Sequence, residues 1–324
     1  MAKTQRVRTA LSLLFILTLL VAGCGQAATP GQSGGKLEGT ITISGAFALY
    51  PMMVRWGEEF KNLYPDVKLD ISAGGAGKGM SDTLAGAVDI GMVSREIYPE
   101  EEQKGAFWVP VTRDAVFVSI NQKNPVWEDL RRKGVTQDAF IDIYITGKIT
   151  TWGQVVGRPE VTDPIHVFTR SDACGAADAW AKYLGNKKQE DLKGVAVYGD
   201  PGLLDAVVKD PLGIGYNNLN YIFDAQTGQP VAGAAIVPID ADGNGQADPA
   251  ETYADKKEAM DAVATGKYPS PPARDLNLVT KGKPTGLTKA FIAWILTDGQ
   301  KYVDEVGYIA LVKSKLDAAS KKLD

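Results

Sequence analysis

From Thr40 onward the chain repeats one arrangement: a short strand-type run, a turn rich in glycine and serine, then a helical pattern. The run 40–43 passes through Ser44-Gly45-Ala46-Phe47-Ala48-Leu49-Tyr50 to Met52, Met53, Trp56, Phe60 and Leu63. Pro51 sits in the first helical turn, where its missing N–H costs nothing. The run 67–71 alternates apolar and polar residues, and Ser72-Ala73-Gly74-Gly75-Ala76-Gly77-Lys78-Gly79 then opens a helix ending near Gly86. A third run, 88–93, closes on Ser94-Arg95-Glu96. Such alternation predicts an α/β fold. With 324 residues, two domains are expected rather than one core.

The remaining runs extend the pattern. The stretch 108–120 is long and β-rich, and is expected to cross between domains. A helix is expected over 138–145, a strand over 195–198, a helix over 201–209 and a strand from Gly213. The run 274–279 can cross back, and helices are expected over 286–296 and 298–306. No internal repeat is visible.

The segment around Arg170 carries the clearest chemical signal. Ile165, Val167 and Phe168 form an apolar run. Thr169-Arg170-Ser171-Asp172 makes a turn, and a helical pattern follows from Ala173. The first amides of a helix lack intrahelical acceptors, and the helix dipole adds positive charge there. A guanidinium beside them supplies a fork suited to a tetrahedral oxyanion. The stretch therefore reads as an anion cradle; an ordinary capped strand–helix junction is the plainer reading. The glycine-rich loop 72–79 is not a nucleotide-binding P-loop. Ser72 stands where the first glycine belongs, and Gly79 stands where a hydroxyl should hold magnesium.

The N-terminus reads as a leader. Lys3, Arg6 and Arg8 precede an apolar run over 10–20, then Leu20-Val21-Ala22-Gly23-Cys24. Residues 1–23 are expected to be a signal peptide. Small residues before Cys24 resemble a lipobox, so lipidation of Cys24 would anchor the protein outside the cytoplasmic membrane. Residues 24–36, rich in Gly, Ala, Ser, Thr and Gln, make a flexible tether. Formal net charge is −4, and removal of the basic leader makes the rest more acidic still. That argues against nucleic-acid partners. Cys24 and Cys174 are the two cysteines and His166 is the one histidine, too few for a disulfide framework or a zinc site.

A twelve-residue loop, 240–251, matches the calcium loop of an EF-hand. Asp240, Asp242, Asn244 and Asp248 place oxygens at the first, third, fifth and ninth positions. Gln246 offers its carbonyl, Gly245 takes the sharp turn and Glu251 closes the loop. The usual entering helix is replaced by a strand-type run over 231–239, and a helix can follow over 256–264. A structural Ca2+ is the expectation, with a plain acidic surface loop as the alternative.

Seven stretches together resemble the phosphate-binding lipoproteins of bacterial phosphate ABC importers. They are residues 44–51, 72–79, 88–95, 146–152 (T-G-K-I-T-T-W), 169–176 (T-R-S-D-A-C-G-A), 213–216 (G-I-G-Y) and 281–286 (K-G-K-P-T-G), and the likeness spans about 38–315. The resemblance implies a two-lobed periplasmic-binding-protein type II fold with the ligand in the cleft between lobes. Lobe 1 would comprise 37–114 with 277–324, and lobe 2 would comprise 115–276. The resemblance implies ligand contacts from Ala48, Leu49, Ser72, Gly74, Gly75, Ser94, Arg95, Arg170, Cys174, Gly175 and Ala176, with Asp172 orienting Arg170. It implies a monomer that delivers phosphate to an ABC permease without catalysis.

This chain departs from that family at Cys174 and Ala176, where hydroxyls are usual; at Ser94, where the family often has an acidic or hydroxyl group, it lacks the acid that would accept a proton from monohydrogen phosphate. Molybdate, sulfate, phosphonate and arsenate therefore stay open as ligands, as does a sensory lipoprotein of the same fold. An enzyme using Cys174 as nucleophile and His166 as base lacks a third member.

Overall fold

The computed structural model describes residues 36–324, so the leader, Cys24 and nearly all of the tether lie outside the described residues. Eleven strands alternate with helices: β1 (Gly39–Gly45), β2 (Val67–Ala73), β3 (Ile90–Val93), β4 (Ala106–Asn121), β5 (Val135–Thr136), β6 (His166–Arg170), β7 (Val195–Val197), β8 (Gly213–Asn218), β9 (Ala234–Ile236), β10 (Ile239–Asp240) and β11 (Ala273–Lys281). The main sheet runs β2-β1-β3-β11-β4-β8-β6-β7, with β9 also paired to β4, while β10 and β5 form a separate pair. β1 is parallel to β2 and β3, and β6 is parallel to β7 and β8. The two parallel groups are joined through antiparallel β4 and β11. The expected α/β alternation is what the chain forms.

Two apolar clusters flank these joining strands. One gathers Ile41, Met53, Trp56, Phe60, Val111, Leu276 and Phe291. The other gathers Ala115, Phe117, Trp152, Trp180, Tyr216 and Ala273. On β4 the change falls between Val111 and Ala115, and on β11 between Ala273 and Leu276. Asp114 and Arg274, opposite each other in the ladder, stand at that division. β4 is long because it serves both clusters, and its last eight residues are all buried.

Local chemistry sets the element ends. The helix Tyr50–Leu63 carries Pro51 in its first turn and buries Met52, Met53, Trp56 and Phe60 on one face. The Trp56 indole then donates to Gly299 O at 2.8 Å, tying that helix to the C-terminal region. Gly86 ends the helix Ala76–Ala85 in the left-handed conformation, φ 74°.

Several expectations are corrected. The run 231–239 is not one strand: Pro238 cannot donate to a ladder, and it separates β9 from β10. The segment 298–306 is a 3-10 turn, Asp298–Tyr302, followed by the short helix Val303–Val306. Gly299 disfavours a helix interior and lends its carbonyl to Trp56. The helix after Arg170 begins at Gly175 rather than Ala173, with Cys174 as its N-cap. Helices at Pro99–Gln103, Trp127–Lys133, Trp152–Val156 and Lys313–Leu323 were not legible in the pattern. No helix among the described residues is long and apolar enough to cross a membrane.

Trp180 packs against Phe140, Tyr144, Tyr183 and Tyr216 and is fully buried. Trp180→Ala is expected to cost about 3–5 kcal/mol, read by urea unfolding. A loss under about 1 kcal/mol would mean this aromatic cluster is not a packing centre.

Candidate anion-binding site

β6 delivers Arg170 to the interior, where its side chain has no solvent exposure. Two carboxylates fix the guanidinium. Nε and Nη2 donate to Asp172 Oδ1 and Oδ2 at 2.8 and 2.7 Å, and Nη1 donates to Asp200 Oδ2 at 2.6 Å. These bonds use three of the five guanidinium N–H groups, so Nη1 and Nη2 each keep one. Burial lowers the Arg170 pKa, but the charges of Asp200 and Asp172 more than reverse this and hold it above its ordinary value. Both acids are anchored in turn. Asp172 Oδ1 accepts from Gly199 N at 3.1 Å. Asp200 Oδ1 accepts from Asn218 N and Nδ2 at 3.0 and 2.8 Å.

The helix Gly175–Tyr183 begins beside this cation. Cys174 Sγ caps it by accepting from Ala177 N at 3.3 Å. Among the described residues no acceptor meets the amides of Gly175 and Ala176, as expected at a helix start. Gly175 touches Ser94 directly: a Cβ there would lie 2.2 Å from Ser94 O and 2.4 Å from Ser94 Oγ. Ser94 is 2 % exposed, and its hydroxyl has no protein partner among the described residues. Spare Nη hydrogens, helix-start amides and a free hydroxyl thus meet in one buried region. That donor set suits a small oxyanion.

The other expected contacts are placed as follows. Ala48 and Leu49 lie buried in the 3-10 turn Phe47–Leu49, and the neighbouring Phe47 ring centroid is 5.4 Å from Arg170 Cζ. Gly75, with φ 93°, packs so tightly that a Cβ would lie 2.7 Å from Asp172 Oδ2 and from Ala173 O. The amides of Gly74 and Gly75 both donate to Gly45 O, so this loop supplies close approach while its N–H groups hold β1. Ser72 is exposed, and its hydroxyl donates to Ile43 O at 3.4 Å, so the structure does not gather it with Arg170. Arg95 forms a two-pronged pair with Glu101 at 2.9 and 2.7 Å and lies over the Tyr98 ring. Its guanidinium is engaged there rather than with Arg170's partners.

Asp200, Asn218 and Arg274 complete the polar cluster, and the sequence reading missed all three. Asp200 precedes the expected helix 201–209, and nothing in that pattern marked it as part of a site. The available signal for Arg274 was a cation at the start of a strand expected to cross between domains. The Cys174–His166 pair is not assembled. His166 is exposed with Nδ1 2.7 Å from Asp210 Oδ2, and burial pushes the Cys174 thiol up to about 12 despite Arg170.

A second constellation lies in the loop 240–251. Oxygens of Asp240, Asp242 and Glu251 lie within 4.8 Å of one another. Asp240 Oδ1 accepts from Gly243 N and Asn244 N, and Oδ2 accepts from Gly245 N at 3.0 Å. Asn244 Nδ2 donates to Asp248 Oδ2 at 3.1 Å, and Gln246 N donates to Asn244 Oδ1 at 2.8 Å. Glu251 reaches back to accept from Ala241 N at 2.7 Å. Among the described residues no lysine or arginine pairs with Asp240, Asp242 or Glu251, although Asp240 and Glu251 are buried. Strand β10 enters the loop, and the helix Lys256–Ala264, capped by Asp255, follows it.

A family model described as a PBP superfamily domain matches residues 30–299. The phosphate-binding protein PstS of Bacillus subtilis is 26 % identical over 313 residues, covering 94 % of each chain. The protein of that name from Staphylococcus aureus is 27 % identical, over 93 % of this chain and 88 % of its own. A crystal structure from Clostridium perfringens, described as a phosphate ABC transporter substrate-binding protein with bound phosphate, superposes with TM-score 0.68. It is 28 % identical and covers 85 % of this chain and 100 % of its own. A Vibrio cholerae phosphate transport receptor shares the fold, with TM-score 0.61 at 21 % identity.

The buried, protonated Cys174 should be chemically inert. In a Cys24→Ser protein at about pH 8, iodoacetamide is expected to label native Cys174 about a hundredfold more slowly than in urea. Equal rates in both conditions would contradict the burial and the raised pKa.

Proposed function

The chain belongs to the PBP superfamily, and from that premise we propose that it captures phosphate outside the cytoplasmic membrane and hands it to an ABC permease. The observation that carries this reading is Arg170, locked between Asp172 and Asp200 beside the open amides of Gly175 and Ala176 and the free Ser94 hydroxyl. The names of the Bacillus subtilis and Staphylococcus aureus relatives, and the bound phosphate of the Clostridium perfringens structure, support phosphate as the ligand. Residues 37–114 with 277–324 form one lobe and 115–276 the other, with the ligand between them. The split of the apolar clusters on β4 and β11 supports that division. Lipid on Cys24 anchors the protein, the tether 24–36 gives it reach, and it works as a monomer without catalysis.

Of the residues first assigned to the ligand, Ser94, Arg170, Gly175 and Ala176 supply the donors. Ala48, Leu49, Gly74 and Gly75 shape the wall. Closure around the anion removes water and strengthens each charge-assisted bond. Calorimetry is expected to show tight phosphate binding by the wild type. Arg170→Lys loses the fork and two charge-assisted bonds, about 3 kcal/mol or a hundredfold in affinity. Titrations with sulfate and molybdate read selectivity. Absence of binding for every oxyanion would remove the proposal.

The loop 240–251 holds a structural Ca2+ in this reading. Asp240, Asp242, Asn244, Asp248 and Glu251 supply side-chain oxygens, and Gln246 supplies its carbonyl. Two buried carboxylates without a cationic partner favour a hard cation there over a plain surface loop. Added Ca2+ is expected to raise the melting temperature by several degrees over an EDTA-treated sample, and Glu251→Gln is expected to abolish the rise. Phosphate affinity should be the same in both proteins. No thermal shift and no calorimetric heat with Ca2+ would rule the site out.

A further inference from the structure

Arg274 is a second guanidinium near the anion cradle, largely but not fully buried, and neither the motifs nor the lining of the site assigns it a role. It lies on β11 opposite Asp114 of β4, where the two apolar clusters divide. Its three nitrogens reach three different groups. Nε donates to Ser94 O at 3.2 Å, Nη1 donates to Asp114 Oδ2 at 3.1 Å and Nη2 donates to Asn218 Oδ1. Ser94 follows β3, beside the cluster of Trp56. Asn218 ends β8, whose Ile214 and Tyr216 belong to the cluster of Trp180. Asn218 in turn grips Asp200, and Asp200 grips Arg170. One continuous chain of bonds therefore runs from the residue whose hydroxyl faces the helix start to the cation that faces the anion.

We propose that Arg274 is a positioning residue that couples closure of the two lobes to the orientation of Arg170. The inference rests on the phosphate reading above. In this structure one fork reaches Ser94 on one side and Asn218 on the other, which the proposal assigns to the closed form. Closure thereby fixes Asn218, which fixes Asp200, which aims the spare Nη1 hydrogen of Arg170. In the open form this fork loses at least one partner, Arg170 is held less firmly and the anion leaves faster. Asp114 keeps Arg274 at the division between the lobes in either state, since both residues sit on the joining strands.

A purely structural role for the Asp114–Arg274 ion pair makes a different forecast, and two variants separate the ideas. Arg274→Lys keeps a positive charge for Asp114 but has no fork to span Ser94 and Asn218. Arg274→Gln combined with Asp114→Asn removes both charges of the pair together, so the buried Asp114 position holds no unpaired ion. Melting temperature, phosphate affinity by calorimetry and phosphate dissociation rate by stopped flow are measured on both variants and the wild type. Both are expected to melt close to the wild type, to bind about tenfold more weakly and to release phosphate correspondingly faster. Wild-type affinity and release in either folded variant overturns the positioning role. A loss of affinity that tracks a loss of melting temperature in both variants overturns it as well, in favour of plain structural support. A wild type that binds no phosphate removes the phosphate reading and this inference with it, whereas unchanged variants beside a binding wild type remove this inference alone.

Discussion

The structure around the cleft depends on one buried cation held by two buried carboxylates. Arg170, Asp172 and Asp200 have almost no solvent exposure among them. Taking three charges out of water is costly, and removing one partner would leave another uncompensated. What the arrangement secures is direction. Nε and Nη2 lie against one carboxylate and Nη1 against the other, so the remaining hydrogens of the fork cannot wander. A ligand that meets them does not have to order them. The triad carries a net charge of −1 before any anion arrives, and the chain as a whole is acidic. Net charge therefore gives an anion no help here. The donors open at short range are the helix-start amides of Gly175 and Ala176, the Ser94 hydroxyl and the two free Nη hydrogens, and close to such groups partial charges outweigh the distant field.

Those donors come from separate parts of the chain, and the sheet explains how they meet. Ser94 follows β3 in one parallel group, while Arg170 ends β6 in the other. Among the described residues only β4 and β11 link the groups, and both are antiparallel to their neighbours. The link carries the Asp114–Arg274 pair, with Asp114 buried and Arg274 largely so. β11 carries a register irregularity between Leu276 and Asn277, next to the division of the clusters. Burial pushes Asp114 up to about 6, against the pull of Arg274. A carboxylate raised in this way is less stable in its charged form in the folded protein than in the unfolded chain. Its contribution to stability is thus greatest below its unfolded pKa and is lost as pH rises through about 6.

The alternation of elements was legible because the strands carried apolar runs and several of the turns carried glycine. β4 and β11 could be read as crossing strands from length and composition alone. The same logic failed at Pro238 and Gly299, where one residue breaks a pattern that its neighbours support. In the cradle, Arg170, Asp172 and the helix start lie adjacent in sequence, so the local motif showed them. Asp200 and Asn218 lie 30 and 18 residues away from their respective partners Arg170 and Asp200, and nothing in a linear pattern says that those distances close. Arg95 shows the reverse case. It sits beside Ser94 in a motif that reads as ligand-facing, yet Glu101 and Tyr98 are near enough to hold its guanidinium. Motifs locate backbone reliably. Which side chain reaches the ligand depends on the neighbours that compete for it.

That competition also settles how to read Cys174 and Ala176, the positions where hydroxyls would be usual in the family this chain resembles. Cys174 Sγ is occupied in capping Ala177 N, and its neutral thiol is too weak a donor to replace a serine toward an anion. Ala176 has no side-chain donor at all. Yet the backbone around both positions is held by other bonds. Gln189 Oε1 accepts from Cys174 N at 3.0 Å, Gln189 Nε2 donates to Asp172 O at 2.7 Å, and Gly175 is pressed against Ser94. The amides at the helix start are thus fixed by bonds that do not involve the missing hydroxyls. A cradle built on peptide N–H groups survives substitution at its side chains, because the donor belongs to the backbone whatever residue carries it.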